Sequence, residues 1–255
     1  MRAPRGVEST EAMSAAGVSF EAVDVLLGER TVLSGLDLEV GPGETVVLLG
    51  RSGSGKSTTL RLANALLLPT RGEVRVDGTP TRHLDPIRLR RRTGYILQEI
   101  GLFPHFSVAR NVALVPGLLG WDTRAIEARV TEMLELVGLD PTLGTRLPGQ
   151  LSGGQRQRVG IARALAARPE RLLCDEPFGA LDPVTRYELQ REFRALTERV
   201  ETTLLFVTHD VREALFLADR IAFLADDGRL AFVGTPDAFR TSTEPRVARF
   251  RDAGL

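Results

Sequence analysis

The chain has 255 residues, and Lys+Arg and Asp+Glu number 33 each, so its formal charge is zero. That length suffices for one large domain or two small lobes with a core that needs no staples, and the balanced charge lacks the basic excess of a dedicated nucleic-acid binder. A single cysteine, Cys174, excludes an internal disulfide, and no apolar run reaches the roughly 18 residues of a membrane span.

Residues Met1 to Ala12 are polar and mixed, without the apolar centre of a signal peptide. Residues 1–15 therefore read as a disordered extension, and both Met1 and Met13 stand as candidate starts. A single nucleotide-binding domain is expected over residues 16–255. Gly17 to Val25 reads as a strand with Val18, Phe20 and Val23 inward. Thr31 to Val40 reads as a second, ending at the turn Gly41-Pro42-Gly43. Thr45 to Leu49 is a continuous apolar run, the pattern of a strand buried on both faces. It runs straight into Gly50-Arg51-Ser52-Gly53-Ser54-Gly55-Lys56-Ser57, after which Ser57 to Ala65 has helical spacing.

Gly72 to Val76 is a short strand ending at Asp77-Gly78, and Gly94 to Leu97 is another, ending at Gln98. A helix-rich stretch follows, about residues 99–167, and reads as a lobe inserted between strands. In it Ile126, Val130, Met133, Leu134 and Val137 have helical spacing. Val112 to Trp121 is apolar but short, and it holds Pro116, Gly117 and Gly120. Arg171 to Asp175 and Thr203 to Thr208 are buried strands flanking a long amphipathic helix, Pro183 to Val200. Arg220 to Leu224 and Leu230 to Val233 close a sheet edge, and the tail from Pro236 is helical.

The glycine loop between a strand and a helix is a P-loop in its expected context. Successive backbone N–H groups of such a loop face the β- and γ-phosphates, and the following helix adds its positive end. Lys56 supplies a mobile charge for the β/γ oxygens, and Ser57, with Thr58 beside it, offers a hydroxyl to Mg²⁺. Asp175 ends an apolar strand, where a charge is costly unless it has a task. Holding Mg²⁺ through water is that task, and Glu176 is one step nearer the nucleotide, placed to polarise the attacking water. Ser152 is a good N-cap, and Gly153-Gly154 let backbone approach a phosphate closely. As a bare string this segment is only a turn; its place before a strand ending in Asp-Glu raises it. His209, at the end of Leu204 to Thr208, can reach a γ-phosphate, although a lone His there is elsewhere an ordinary surface group. Gln98 is suited to contact Mg²⁺ or the water, or else is an exposed loop amide.

Taken together, these motifs closely resemble the nucleotide-binding subunit of ATP-binding-cassette (ABC) transporters, over nearly the whole chain from Gly17. In that family Gly50 to Ser57 corresponds to the Walker A loop, Gln98 to the Q-loop glutamine and Leu151-Ser152-Gly153-Gly154-Gln155 to the signature motif. Leu172 to Asp175 corresponds to Walker B, Glu176 to the catalytic glutamate, Ala180-Leu181-Asp182 to the D-loop and His209 to the switch histidine. The resemblance implies an α/β fold: a P-loop NTPase (RecA-like) core, an N-terminal antiparallel β subdomain and an inserted helical subdomain at about 99–167. It implies ATP and Mg²⁺ as cofactors and Glu176, His209 and Gln98 as catalytic residues. Gly50 to Thr58, Ser152 to Gln155 and Asp182 would bind nucleotide, and Ser57, Gln98 and Asp175 would serve the metal. It further implies a head-to-tail homodimer in the ATP-bound state, each site pairing one P-loop with the other copy's Ser152-Gly153-Gly154. Integral-membrane permease subunits and, indirectly, a substrate-binding protein would be partners, placing the chain peripherally on the cytoplasmic face of the plasma membrane. Nucleic acid would not be a partner, since neither coiled-coil arms nor a second cassette is present.

The coupling surface in such importers lies after the Q-loop glutamine, here Glu99 to Phe106, whose phenylalanines also suit the core of the helical lobe. The run Gln98 to Trp121, above all Val115-Pro116-Gly117-Leu118-Leu119-Gly120-Trp121, resembles importers of osmoprotectants such as glycine betaine, choline or carnitine. Import of another solute, or efflux, is the rival within transport. Two departures stand out. Leu27 occupies the place before Gly28 where the family usually has an aromatic against adenine, so discrimination among nucleotides is expected to be looser. The sequence stops at Leu255, short of the C-terminal regulatory modules of some osmoprotectant ATPases, so ionic-strength sensing through such a tail is not expected. A GTPase switch is excluded by the absence of an Asn-Lys-x-Asp string.

Overall fold

The structure, a computed structural model, describes residues 17–200 and 202–254, so the expected extension over residues 1–15 lies outside it. Among the described residues the strands are β1 (Val18–Leu27), β2 (Arg30–Val40), β3 (Thr45–Leu49), β4 (Arg71–Val76) and β5 (Thr79–Pro80), then β6 (Thr93–Ile96), β7 (Arg171–Asp175), β8 (Thr203–Thr208), β9 (Arg220–Leu224) and β10 (Leu230–Gly234). The helices are α1 (Lys56–Ala63), α2 (Pro86–Arg91), α3 (Val108–Val112), α4 (Leu114–Leu118) and α5 (Thr123–Leu136), then α6 (Gly153–Leu165), α7 (Pro183–Val200), α8 (Val211–Leu217), α9 (Pro236–Thr241) and α10 (Pro245–Gly254).

Two sheets carry the fold. One is antiparallel, in the order β2-β1-β4-β5; the other has six strands in the order β10-β9-β3-β8-β7-β6. In the second, β9, β3, β8, β7 and β6 run parallel, and β10 is an antiparallel edge. The parallel strands divide their side chains between two cores. Val46 and Leu48 of β3, with Leu173, Leu205 and Val207, pack toward the antiparallel sheet and α1. Val47 and Leu49, with Leu172, Cys174 and Phe206, face the opposite way. Both faces are dry, which is why Thr45 to Leu49 carries no polar alternation. The second core continues into the helices between β6 and β7 through Val130, Met133, Leu134 and Val159. In it Phe206 stacks with Phe178 and Phe193 at ring-centroid distances of 6.0 Å each. Cys174 is fully buried there, and burial pushes its thiol pKa well up, so it is an inert packing group.

β1 and β2 depart from plain alternation. Pairing shifts between Phe20 and Val23, yet both side chains point inward. The displaced backbone is fastened by two carboxylates: Asp37 Oδ1 accepts the Ala22 N–H at 2.7 Å, and Asp24 Oδ1 accepts the Gly35 N–H at 2.7 Å. Other boundaries differ slightly from the expected ones. β6 ends at Ile96, leaving Gln98 two residues beyond the strand. The tail forms two helices rather than one, because the residue before Pro245 is turned away from helical geometry. Among the described residues no helix is long and apolar enough to cross a membrane.

Replacing Phe206 with Ala removes the ring that joins Phe178 and Phe193 under the parallel sheet. It should lower unfolding free energy by about 3–5 kcal/mol, read as a reduced urea midpoint at unchanged slope.

Candidate nucleotide-binding and hydrolysis site

In an open parallel sheet, ligands gather beyond the carboxyl ends of the strands. Here β3 runs into Gly50, β8 into His209 and β7 into Glu176. Leu49 is in register with Thr208, and Asp175 with Val207, so the three strand ends stand side by side.

The loop from Gly50 to Gly55 folds over the end of β3. Gly55 has φ 107°, and a Cβ there would sit 2.6 Å from Leu33 Cδ2; one at Gly50 would sit 2.4 Å from the Leu224 carbonyl oxygen. Neither position admits a side chain, so the loop is wedged between β2 and β9 with its backbone close-packed. Arg51 and Ser52 are exposed, and Arg51 pairs with Asp226 at 3.6 Å. Ser54 Oγ is buried without a hydrogen-bond partner, and Thr58 is half-buried on α1.

Lys56 opens α1 and is only 4% exposed. Its Nζ donates to the carbonyls of Gly50 at 2.9 Å and Arg51 at 2.8 Å, and lies 3.6 Å from Glu176 Oε1. Burial pulls the lysine pKa below its usual range, opposed by the negative charge of Glu176 and Asp175. The cation thus closes the loop on itself while its third direction faces an acid.

Next along α1, Ser57 Oγ donates to Asp175 Oδ1 at 2.8 Å. Burial raises the Asp175 pKa, and the Ser57 hydrogen bond works against that rise. A hydroxyl and a carboxylate side by side are hard oxygen donors that fit Mg²⁺. Among the described residues no group of three His, Cys, Asp or Glu is arranged to hold a metal. A Mg²⁺ ion at Ser57 and Asp175 would therefore draw its other ligands from phosphate and water, as this ion commonly does.

Glu176 sits in left-handed backbone geometry, φ 43°, and its N–H donates to the Val207 carbonyl at 3.0 Å. This unusual conformation for a side-chain-bearing residue turns the carboxylate back over the strand ends. Its Oε2 lies 2.8 Å from His209 Nδ1, while Oε1 faces Lys56. The imidazole is otherwise largely exposed. Lys56, Ser57, Asp175, Glu176 and His209 are thus brought together in one site.

The remaining candidates stand elsewhere. Ser152 caps α6, its Oγ accepting the Gln155 N–H at 3.2 Å while Gln155 Oε1 accepts the Ser152 N–H at 3.0 Å. This reciprocal box gives both residues a local structural task. A Cβ at Gly154 would approach Thr185 Cγ2 to 3.0 Å, so the segment lies against the start of α7. Asp182 Oδ1 accepts the Thr185 N–H at 3.1 Å, and that backbone bond holds its carboxyl below the usual range. Among the described residues, no hydrogen bond or ion pair joins Ser152, Gly153, Gly154, Gln155 or Asp182 to the P-loop or Glu176. Gln98 is exposed and is not hydrogen-bonded to Ser57 or Asp175.

Two residues beside the site escaped the sequence reading. Glu213 is buried on α8, and Arg186 of α7 lies across from it; both line a small cavity with Glu176 and His209. Glu213 lies between Val211 and Ala214 on a helix whose buried face those two mark, and that spacing was the available signal.

Comparison with known proteins was made on the whole chain. A family model described as "ABC transporter" matches residues 33–179. The chain is similar to the glycine betaine/carnitine/choline transport ATP-binding protein of Bacillus subtilis (strain 168), 46% identical over 213 residues, covering 84% of this chain and 56% of that protein. It is 49% identical over 219 residues to the glycine betaine uptake system ATP-binding protein of Escherichia coli (strain K12), covering 86% and 71%. The chain thus spans a little over half the length of the first of these relatives. Among solved structures it is similar to a dimeric ATP-binding cassette in a post-hydrolysis state bound to ADP and Pi, with TM-score 0.75 and 35% identity, covering 86% of this chain and 98% of that one.

Lys56→Ala deletes the one buried cation beside Glu176. Loss of a charge-assisted hydrogen bond is worth about 1.5–3 kcal/mol, so ATP should bind roughly 10- to 100-fold more weakly, as read by isothermal calorimetry. Unchanged affinity would remove Lys56 from the phosphate site.

Proposed function

The chain belongs to the ABC transporter family, and on that premise we propose that it is the ATP-hydrolysing subunit of an importer of quaternary-ammonium osmoprotectants, working through a separate membrane permease. The observation that carries the ATPase reading is the Glu176 carboxylate held between Lys56 and His209 beside the Ser57–Asp175 pair. In this reading the backbone of Gly50 to Thr58 receives the triphosphate and Lys56 turns from the loop carbonyls to the β/γ oxygens. Ser57 and Asp175 hold Mg²⁺, which would offset the phosphate charge, with Gln98 swinging in from its exposed place beyond β6. Water attacks the γ-phosphorus as the bond to the β-phosphate oxygen breaks; Glu176 orients that water and takes its proton, and His209 fixes the carboxylate from the other side.

One copy offers only half of this grip. Ser152, Gly153, Gly154 and Asp182 are set on α6 and the approach to α7, away from their own P-loop, so a second copy in head-to-tail array would supply them. The dimeric state of the similar cassette supports that arrangement. The permease would rest on the segment after Gln98. There Phe103 is 41% exposed, and Asn111 pins the turn by accepting the Phe103 N–H at 2.8 Å and donating to the Phe103 and Phe106 carbonyls at 3.1 Å each. A rigid turn with an exposed aromatic suits a docked helix. The two relatives named for glycine betaine support the solute class. A substrate-binding protein would meet the permease on the far side, leaving this chain peripheral at the cytoplasmic face.

Ser152→Arg should abolish turnover while a single copy still binds ATP, because the arginine obstructs only the site shared across the dimer; steady hydrolysis by that variant counts against a shared site. The solute is tested by ATPase stimulation in liposomes carrying the permease: glycine betaine, choline or carnitine should stimulate and sulfate should not.

A further inference from the structure

Glu213 is a carboxylate only 5% exposed, one helical turn from His209. Its Oε1 accepts a hydrogen bond from Gln190 Nε2 at 2.9 Å, and the Thr208 hydroxyl is its second partner. Thr208 Oγ1 in turn accepts the Asp210 N–H at 3.0 Å. Across a cavity of about 30 Å³ lies Arg186, whose Nη2 donates to the carbonyls of Gly179 at 3.3 Å and Leu181 at 3.0 Å. Its Nε is buried with no partner. The same cavity is lined by Glu176, Thr208 and His209. Its size suits one or two waters, enough to join Arg186 Nε, Glu213 and Glu176 in one network.

We propose that Glu213 is a positioning residue for hydrolysis, tying the turn Gly179–Asp182, through Arg186 and this cavity, to the Glu176–His209 pair. The inference rests on the ATPase reading above. The groups facing Glu213 are Asp210 on its own helix, Arg186 and Gln190 of α7, Thr208 of β8, Cys174 of β7, and Glu176 and His209 across the cavity. Only Arg186 among these is a permanent cation, and it lies 4.0 Å from Asp210. In its neutral form Glu213 leaves Arg186 on the two carbonyls. Once ionised it competes for the guanidinium and loosens the turn that carries Asp182 toward a second copy. Burial raises the Glu213 pKa to about 7, so the neutral form persists into the working range and is lost as pH rises through that value.

The test is steady-state ATPase kinetics of the whole chain from pH 6 to 9, on the parent, Glu213→Gln and Arg186→Lys, with melting temperatures taken in parallel. The parent kcat should fall several-fold as pH rises through about 7. Glu213→Gln, permanently neutral, should lose that inflection while KM for ATP stays within about twofold. Arg186→Lys, without a planar fork, should lower kcat several-fold at unchanged KM. A Glu213→Gln profile with the parent's inflection overturns the proposal. Should that variant melt early, Arg186→Lys decides alone, and parent-like kcat at every pH overturns it. A parent that hydrolyses no ATP at any pH overturns the ATPase reading itself, and this inference with it.

Discussion

A buried cation shared between a loop and an acid is the interaction on which the site depends. Lys56 Nζ is taken from water almost completely and compensated by the Gly50 and Arg51 carbonyls and by Glu176. Unpaired, such a charge would cost several kcal/mol. Its partners are therefore held closely, and any anion that replaces them must offer as many oxygens. A triphosphate does, and chloride or a lone carboxylate does not. Glu176 is freed by the same exchange, so in the proposed cycle the arrival of phosphate also releases the base toward its water.

That arrangement is stiff because of what lies beneath it. The alternation of Val46, Val47, Leu48 and Leu49 anchors β3 in two cores at once. A slip of one residue would exchange the two sets of side chains, so the register that sets Leu49 beside Thr208 is strongly specified. The positions of Gly50 and His209 follow from it. The left-handed turn at Glu176 adds local strain, which the Val207 carbonyl helps to hold.

How far the sequence was legible can be told residue by residue. The parallel strands were legible because both faces are dry and leave unbroken apolar runs; the P-loop was legible because glycines, lysine and serine stand at a strand–helix junction. The offset in β1 and β2 was not, since Asp24 and Asp37 look like ordinary solvated charges until their N–H partners are seen. α4 was hidden by Pro116 and Gly117, although a proline in the first turn of a helix costs no hydrogen bond. Glu213 and Arg186 were two charges among many; only long-range packing of α7 on α8 gives them a common cavity. The distance of Ser152 from its own P-loop is likewise a property of topology that no local pattern carries.

The reciprocal box at the head of α6 has a consequence for assembly. Ser152 and Gln155 are already locked to each other and to the helix before any partner arrives, so the donor face presented by Gly153 and Gly154 is preformed. Little entropy remains to be lost there on association. Encounter should then resemble two rigid bodies meeting, with rate governed by orientation and diffusion rather than by the folding of a loop around its guest.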